Sequence, residues 1–177
     1  MILSEQFKYL SKEDARQLAI SDKKIMDFFY DGYKSTMEIT NSKLMNDQKV
    51  RPNYYLVNVD FESNPKCFTA IYEDRVYRVL RCVYVGQAYR RKKLASEMIS
   101  ELKSGIGGNE HIFLQIGVEC NQGELFTILD KFYSNEGFKR TFVPITHGNN
   151  KSFYDYFWSH KPFEVKQNGL RIAAHHI

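Results

Sequence analysis

The chain has 177 residues, 43% hydrophobic and 26% charged, as in an ordinary globular protein long enough to bury a core. Its formal net charge of +4 suits a small anionic ligand and is too low to argue for nucleic-acid binding by itself. The three cysteines, Cys67, Cys82 and Cys120, lack CxxC spacing, which argues against a disulfide framework and against a zinc site.

The opening residues MILSEQFKYL turn polar too soon for a signal peptide, and no apolar run approaches the ~20 residues that cross a bilayer. A reducing cytoplasm is the expected setting. No repeat or linker divides the chain, so one domain is expected over residues 1–177. The His175-His176 pair stands alone and reads as tail, and no metal is expected.

Ser11 followed by Asp14 resembles a capping box that opens a short helix with Ala15, Leu18 and Ala19 at helical spacing. Ile25, Phe29, Tyr33 and Met37 recur at four-residue steps and predict a second helix. Residues 41–53 read as loop. Three strands are then predicted: Tyr54 to Phe61, with Tyr55, Val57 and Val59 alternating against polar residues; Cys67 to Tyr72; and Val76 to Val85. The third is the most continuously apolar and is expected to be buried on both faces.

The period then changes. Leu94, Ala95, Met98, Ile99 and Leu102 predict a helix that ends at Gly105, and His111 to Val118 a strand. A further helix, starting near Asn121 or Gly123, would bury Leu125, Ile128, Leu129, Phe132 and Tyr133 and stop at Gly137. Phe138 to Ile145 and the aromatic run Ser152 to Trp158 complete the strands. The expected class is α/β, with a mixed, mostly antiparallel central sheet flanked by helices.

The segment Val83 to Ala95 combines an apolar strand, a turn and a helix start. A helix N-terminus exposes about four unpaired N–H groups and roughly half a positive charge, which suits a phosphate. Arg90, Arg91, Lys92 and Lys93 sit in that first turn, where they oppose the helix dipole. An anion that neutralises them explains their presence more simply than helix stability does. A solvated basic turn is the plain alternative.

This strand, turn and helix resembles motif A of the GCN5-related N-acetyltransferases (GNAT superfamily), Arg/Gln-x-x-Gly-x-Gly/Ala, on Arg90-Arg91-Lys92-Lys93-Leu94-Ala95. The stretch Phe132 to Phe138 is similar to the family's later helix-to-strand junction, where a Tyr precedes a Gly-Phe pair. The resemblance implies the acyl-CoA N-acyltransferase fold, with acetyl-CoA as cosubstrate and acetyl transfer to an amine by direct attack in a ternary complex. It implies that the turn amides from Arg90 to Ala95 bind the cofactor pyrophosphate. The edge of Val83, Tyr84 and Val85 would pair with the pantetheine amides, and Tyr133 would protonate the departing thiolate.

Lys93 holds the motif's glycine position, where glycine would let the backbone approach a phosphate closely. A lysine there either points away or reaches back as a cation. The attacking amine must lose a proton, and Glu119 is the expected acceptor, with His147 and Asp155 as alternatives. Cys120 is a conceivable nucleophile but reads as a buried thiol.

The acceptor (protein, small molecule or aminoacyl-RNA) is not fixed by the sequence. Its pocket is expected from residues 25–50 and 146–161, whose aromatics could equally form core or a homodimer contact. Two other readings stay open: a catalytically silent binding module on this fold, and a nucleic-acid-modifying enzyme that uses Arg90 to Lys93 with Lys139-Arg140.

Overall fold

A computed structural model of the chain describes residues 6–40, 52–117, 124–146, 152–166 and 169–172. The sheet starts earlier than the polar opening residues suggest. Strand β1 (Phe7–Ser11) pairs antiparallel with β2 (Tyr54–Asn58), from Phe7 opposite Asn58 to Ser11 opposite Tyr54. Of β1 only Leu10 is buried, so the strand lacks the alternation that would announce it. Ser11 then caps α1 (Lys12–Ser21) as expected: its hydroxyl accepts from the Asp14 N–H at 3.0 Å and donates to the Asp14 carboxylate at 2.7 Å.

Helix α2 (Lys23–Thr40) sets Ile25, Phe29 and Tyr33 against the sheet, at the spacing read from the sequence. Gly32 allows the closest approach. A Cβ there would lie 2.5 Å from ring atoms of Phe68, a fully buried residue of β3 (Cys67–Asp74).

Strands β2, β3 and β4 (Tyr77–Val85) form the expected antiparallel meander, with two differences. First, β2 ends at Asn58, and Val59 lies exposed. The buried Asn58 side chain builds a turn there: it donates to the Asp60 carboxylate (2.7 Å) and Asn64 carbonyl (2.9 Å) and accepts from the Lys66 N–H (2.9 Å). Second, the strand buried on both faces is β3, from Cys67 to Ile71, whereas Val83 to Val85 at the end of β4 are half-buried.

The cause lies on the other edge of β4. It runs parallel to β5 (His111–Gly117) but pairs with it only at Tyr77, Arg78 and Val79, opposite His111, Ile112 and Phe113. Beyond Val79 the two strands part. Helix α3 (Leu94–Gly105) makes the crossover between them and buries Met98, Ile99 and Leu102. Helix α4 (Glu124–Asn135) follows β5.

The single strand expected from Phe138 to Ile145 is two short ones, β6 (Lys139–Arg140) and β7 (Ile145–Thr146), both paired with β8 (Ser152–Ser159). Pro144 has no N–H to give the ladder, and Phe142 and Val143 are exposed between the two. A hairpin of β9 (Phe163–Lys166) and β10 (Gly169–Ile172), absent from the sequence expectation, ends the described chain.

Among the described residues the main sheet has eight strands in the order β1-β2-β3-β4-β5-β8-β6, with β7 also on β8. It is mixed and mostly antiparallel, as expected. Alternate residues feed two cores: Tyr55, Val57 and Phe68 pack under α1 and α2, Leu56, Leu80 and Ile112 under α3 and α4. The aromatic run of β8 contributes Phe153, Tyr156 and Phe157 as buried core residues. Among the described residues no helix is long and apolar enough to cross a membrane.

Candidate functional site

Where β4 leaves β5, a cleft of about 950 Å³ opens through the sheet. Val83, Tyr84 and Val85 form its floor, the turn into α3 one end, and α4 an apolar wall of Leu125, Ile128, Leu129 and Phe132. Tyr133 and, from the opposite face, Ser35 of α2 also line it.

The turn is tightly specified. After Val85 the Gly86 N–H donates to the Lys66 carbonyl at 2.8 Å, and a short 3-10 helix, Gln87–Tyr89, follows. The Tyr89 hydroxyl donates to Asn64 at 2.9 Å, and Arg90 Nε folds back to the Val85 carbonyl at 3.2 Å. Arg91 (φ 62°) and Lys93 (φ 63°) are both left-handed, a conformation costing roughly 1–2 kcal/mol for a residue with a Cβ. The motif's glycine position is therefore one whose backbone calls for glycine, here occupied by lysine. Lys93 accepts the first helical bond of α3, from Glu97 at 3.0 Å, and offers no side-chain cap. The first N–H groups of α3 are left without intrahelical acceptors at the end of the cleft.

Of the expected cofactor residues, Val83, Tyr84, Val85, Arg90, Arg91, Lys93, Leu94 and Ala95 line this one cleft. Lys92 does not. Its ammonium lies 5.5 Å from the centroid of the Tyr89 ring.

Tyr133 reaches the cleft from the C-terminal turn of α4 and is 7% exposed. Its position is set by how that helix ends. The Phe138 N–H donates to the Tyr133 carbonyl (2.9 Å) and the Gly137 N–H to that of Ser134 (3.0 Å), with Gly137 at φ 80°. This is a Schellman motif, and the rings of Tyr133 and Phe138 supply its apolar contact edge-on, 5.5 Å between centroids. The Tyr-x-x-x-Gly-Phe pattern thus has a mechanical meaning: it ends the helix and anchors the tyrosine. Burial pushes the Tyr133 phenol well above its usual range, and among the described residues its hydroxyl makes no hydrogen bond. It stays protonated at neutral pH.

Glu119, Cys120 and His147 lie outside the described residues. Asp155 accepts a hydrogen bond from Gln115 at 2.9 Å and does not line the cleft. Glu124 and Ser35 line it without having been singled out. The stripe on α4 read as a buried face divides: Tyr133 is buried and Leu129 and Phe132 pack against the core, whereas Leu125 is 37% and Ile128 57% exposed and both line the cleft. Among the described residues no group of three or more His, Cys, Asp or Glu side chains could hold a metal ion.

The sequence matches no family model and no curated protein. Solved structures do match. A protein from Bacteroides thetaiotaomicron assigned to the GNAT acetyltransferases aligns over 89% of this chain and 88% of its own, with TM-score 0.59 and 14% identity. ElaA from Escherichia coli aligns over 86% and 98%, with TM-score 0.55 and 11% identity. An acetyltransferase from Bacillus subtilis, solved in complex with CoA, aligns over 87% and 97%, with TM-score 0.53 and 10% identity. By architecture, then, this chain has the GNAT acyl-CoA N-acyltransferase fold.

Proposed function

We propose that the chain is an acyl-CoA-dependent N-acyltransferase that moves an acetyl group from acetyl-CoA to an amine by direct attack in a ternary complex. The carrying observation is the parting of β4 from β5 beyond Val79, which leaves a strand edge facing a cleft between a basic turn and a buried tyrosine. Pantetheine is a chain of amides and would pair with that edge as an added strand does. The pyrophosphate would sit on the N–H groups that open α3, beside Arg91 and Lys93.

In the transfer, the neutral amine nitrogen attacks the thioester carbonyl carbon, a C–N bond forms and the C–S bond breaks. The departing thiolate takes the Tyr133 proton, and the amine's extra proton passes to a base, for which Glu119 is proposed on sequence grounds. A phenol raised by burial is a weak acid. The thiolate, forming against the same apolar wall of Leu129 and Phe132, gains proton affinity for the same reason, so the transfer stays feasible.

Lys93 in a glycine conformation favours a second reading, a CoA-binding module without turnover. One titration separates the two. Acetyl-CoA binding with CoA release over an amine panel supports the enzyme, binding without release supports the module, and absence of binding sinks both. A nucleic-acid enzyme is less well supported, since Lys139 donates to the Phe163 carbonyl (3.0 Å) and Arg140 to Asp130 (2.9 Å). A reducing cytoplasm is the proposed setting, one that suits the buried cysteines Cys67 and Cys82.

A further inference from the structure

The cleft passes through the sheet, and its two ends differ. On the face of α3 and α4 stand the basic turn and the apolar wall; on the other face the lining comes from α2 through Ser35. Phe28, Asp31, Gly32 and Ser35 follow one stripe of α2 at i, i+3, i+4 and i+7. The Phe28 ring packs 5.2 Å from that of Tyr84, and a Cβ on Gly32 would come 3.0 Å from the Tyr84 ring. Ser35, one turn beyond Asp31, lines the cleft. The stripe therefore puts the exposed Asp31 one turn before Ser35, on the face of α2 that packs over Tyr84, next to the residues that line the cleft and not one of them.

Electrostatics agree with that placement. Burial pushes the Tyr84 phenol up, and the Asp31 charge adds to it, while Arg90 works in the opposite sense. Asp27, one turn earlier, is held by Lys23 at 2.5 Å. Asp31 makes no ion pair among the described residues, although the chain carries 25 Lys and Arg. Arg90 hydrogen-bonds the Tyr84 hydroxyl and folds its Nε back to the Val85 carbonyl.

With the cofactor at the basic end, the α2 end is what remains for the acceptor. We propose that Asp31, with the hydroxyl of Ser35, holds a second ammonium group of the acceptor, which is therefore a diamine or polyamine. The attacking nitrogen must be neutral, so the bound cation is a different nitrogen of the same molecule. This inference rests on the N-acyltransferase proposal and names its acceptor class.

The test compares three acceptors of similar length with acetyl-CoA: cadaverine, which carries the second ammonium; pentylamine, which lacks it; and aminocaproate, which has a carboxylate there. Wild-type protein is expected to favour cadaverine over pentylamine about tenfold in kcat/KM and to use aminocaproate least. Asp31→Asn should level the first two, and Asp31→Lys should raise aminocaproate above cadaverine. Acetyl-CoA affinity, measured calorimetrically, should stay the same in both variants and shows that they are folded. Equal use of cadaverine and pentylamine by wild type, or a preference that survives in Asp31→Asn, would each overturn the acceptor assignment alone. Turnover of none of the three despite bound acetyl-CoA would overturn it and, if the wider amine panel also gives no CoA release, the N-acyltransferase proposal with it. Failure of wild type to bind acetyl-CoA would overturn the N-acyltransferase proposal beneath it.

Discussion

Phe138 holds Tyr133 twice, by a 2.9 Å hydrogen bond from its N–H to the Tyr133 carbonyl and by an edge-on ring contact at 5.5 Å. Both depend on the left-handed turn at Gly137. Tyr133→Phe keeps the ring and removes the proton, so kcat should fall by about a hundredfold while acetyl-CoA affinity holds. Gly137→Ala should cost about 1 kcal/mol in urea unfolding and lower kcat as well, because the helix end that aims the tyrosine is strained. An unchanged kcat in Tyr133→Phe would remove it as the acid.

The basic turn divides its residues unequally. Arg91 and Lys93 line the cleft, whereas Lys92 lies over Tyr89. Arg91→Glu and Lys93→Glu should each weaken acetyl-CoA binding about tenfold or more at low salt, with the effect shrinking as salt rises. Lys92→Glu should change it by no more than about twofold. Equal losses at all three positions would mean that overall charge, and not placement, governs binding.

Lys93 also stores strain. Replacing it with glycine removes a left-handed Cβ penalty of roughly 1–2 kcal/mol and adds up to ~1 kcal/mol of chain entropy to the unfolded state. Lys93→Gly should therefore raise stability by about 0.5–1 kcal/mol, read from urea unfolding. A destabilised variant would show that the lysine side chain makes a contact worth more than its strain.

Gly32 marks the opposite case. Alanine in a helix interior ordinarily gains about 1 kcal/mol over glycine. Here its Cβ would lie 2.5 Å from the ring of the fully buried Phe68, and over-packing of this kind costs roughly 1–3 kcal/mol. Gly32→Ala should be destabilising on balance, by about 1 kcal/mol; a stabilised variant would show that α2 can lift away from the sheet freely.

Alkaline pH should unfold the protein earlier than its charge suggests. Burial pushes the Cys67 thiol up to about 12 and raises the phenols of Tyr33, Tyr133 and Tyr156. Groups raised by folding add stability that is complete below their unfolded values, near ~8.5 for the thiol and ~10 for the phenols, and is lost as pH climbs from there. Stability should decline from about pH 9 and more steeply above about pH 10, by urea unfolding at stepped pH. Cys67→Ser should flatten the first part of that decline.

Much of this architecture was legible because it rests on short-range rules. The Ser11 cap, the four-residue steps of α2 and the buried face of α3 each depend on residues within a few turns. Strand β1 escaped detection because only Leu10 of it is buried, and pairing with β2 supplies the rest. The stop of β2 at Asn58 depends on a side chain reaching Asn64 and Lys66. The stripe on α4 was seen, but its first two members, Leu125 and Ile128, were misassigned, since an apolar face turned to a ligand cleft has the same period as one turned to a core. Ser35 had no local signal at all; only the crossing of α2 over Tyr84 brings it to the cleft.

The parting of β4 and β5 has a consequence for life among other proteins. A strand edge with free backbone groups is a template for aggregation, and most folds blunt such edges with charges, bulges or proline. Here the free edge of β4 lies in the interior of a sheet, walled by α4 on one side and reached from α2 on the other. A cosubstrate can enter that gap, but a neighbouring chain's strand would have to displace a helix first. Concealment takes the place of gatekeeping residues.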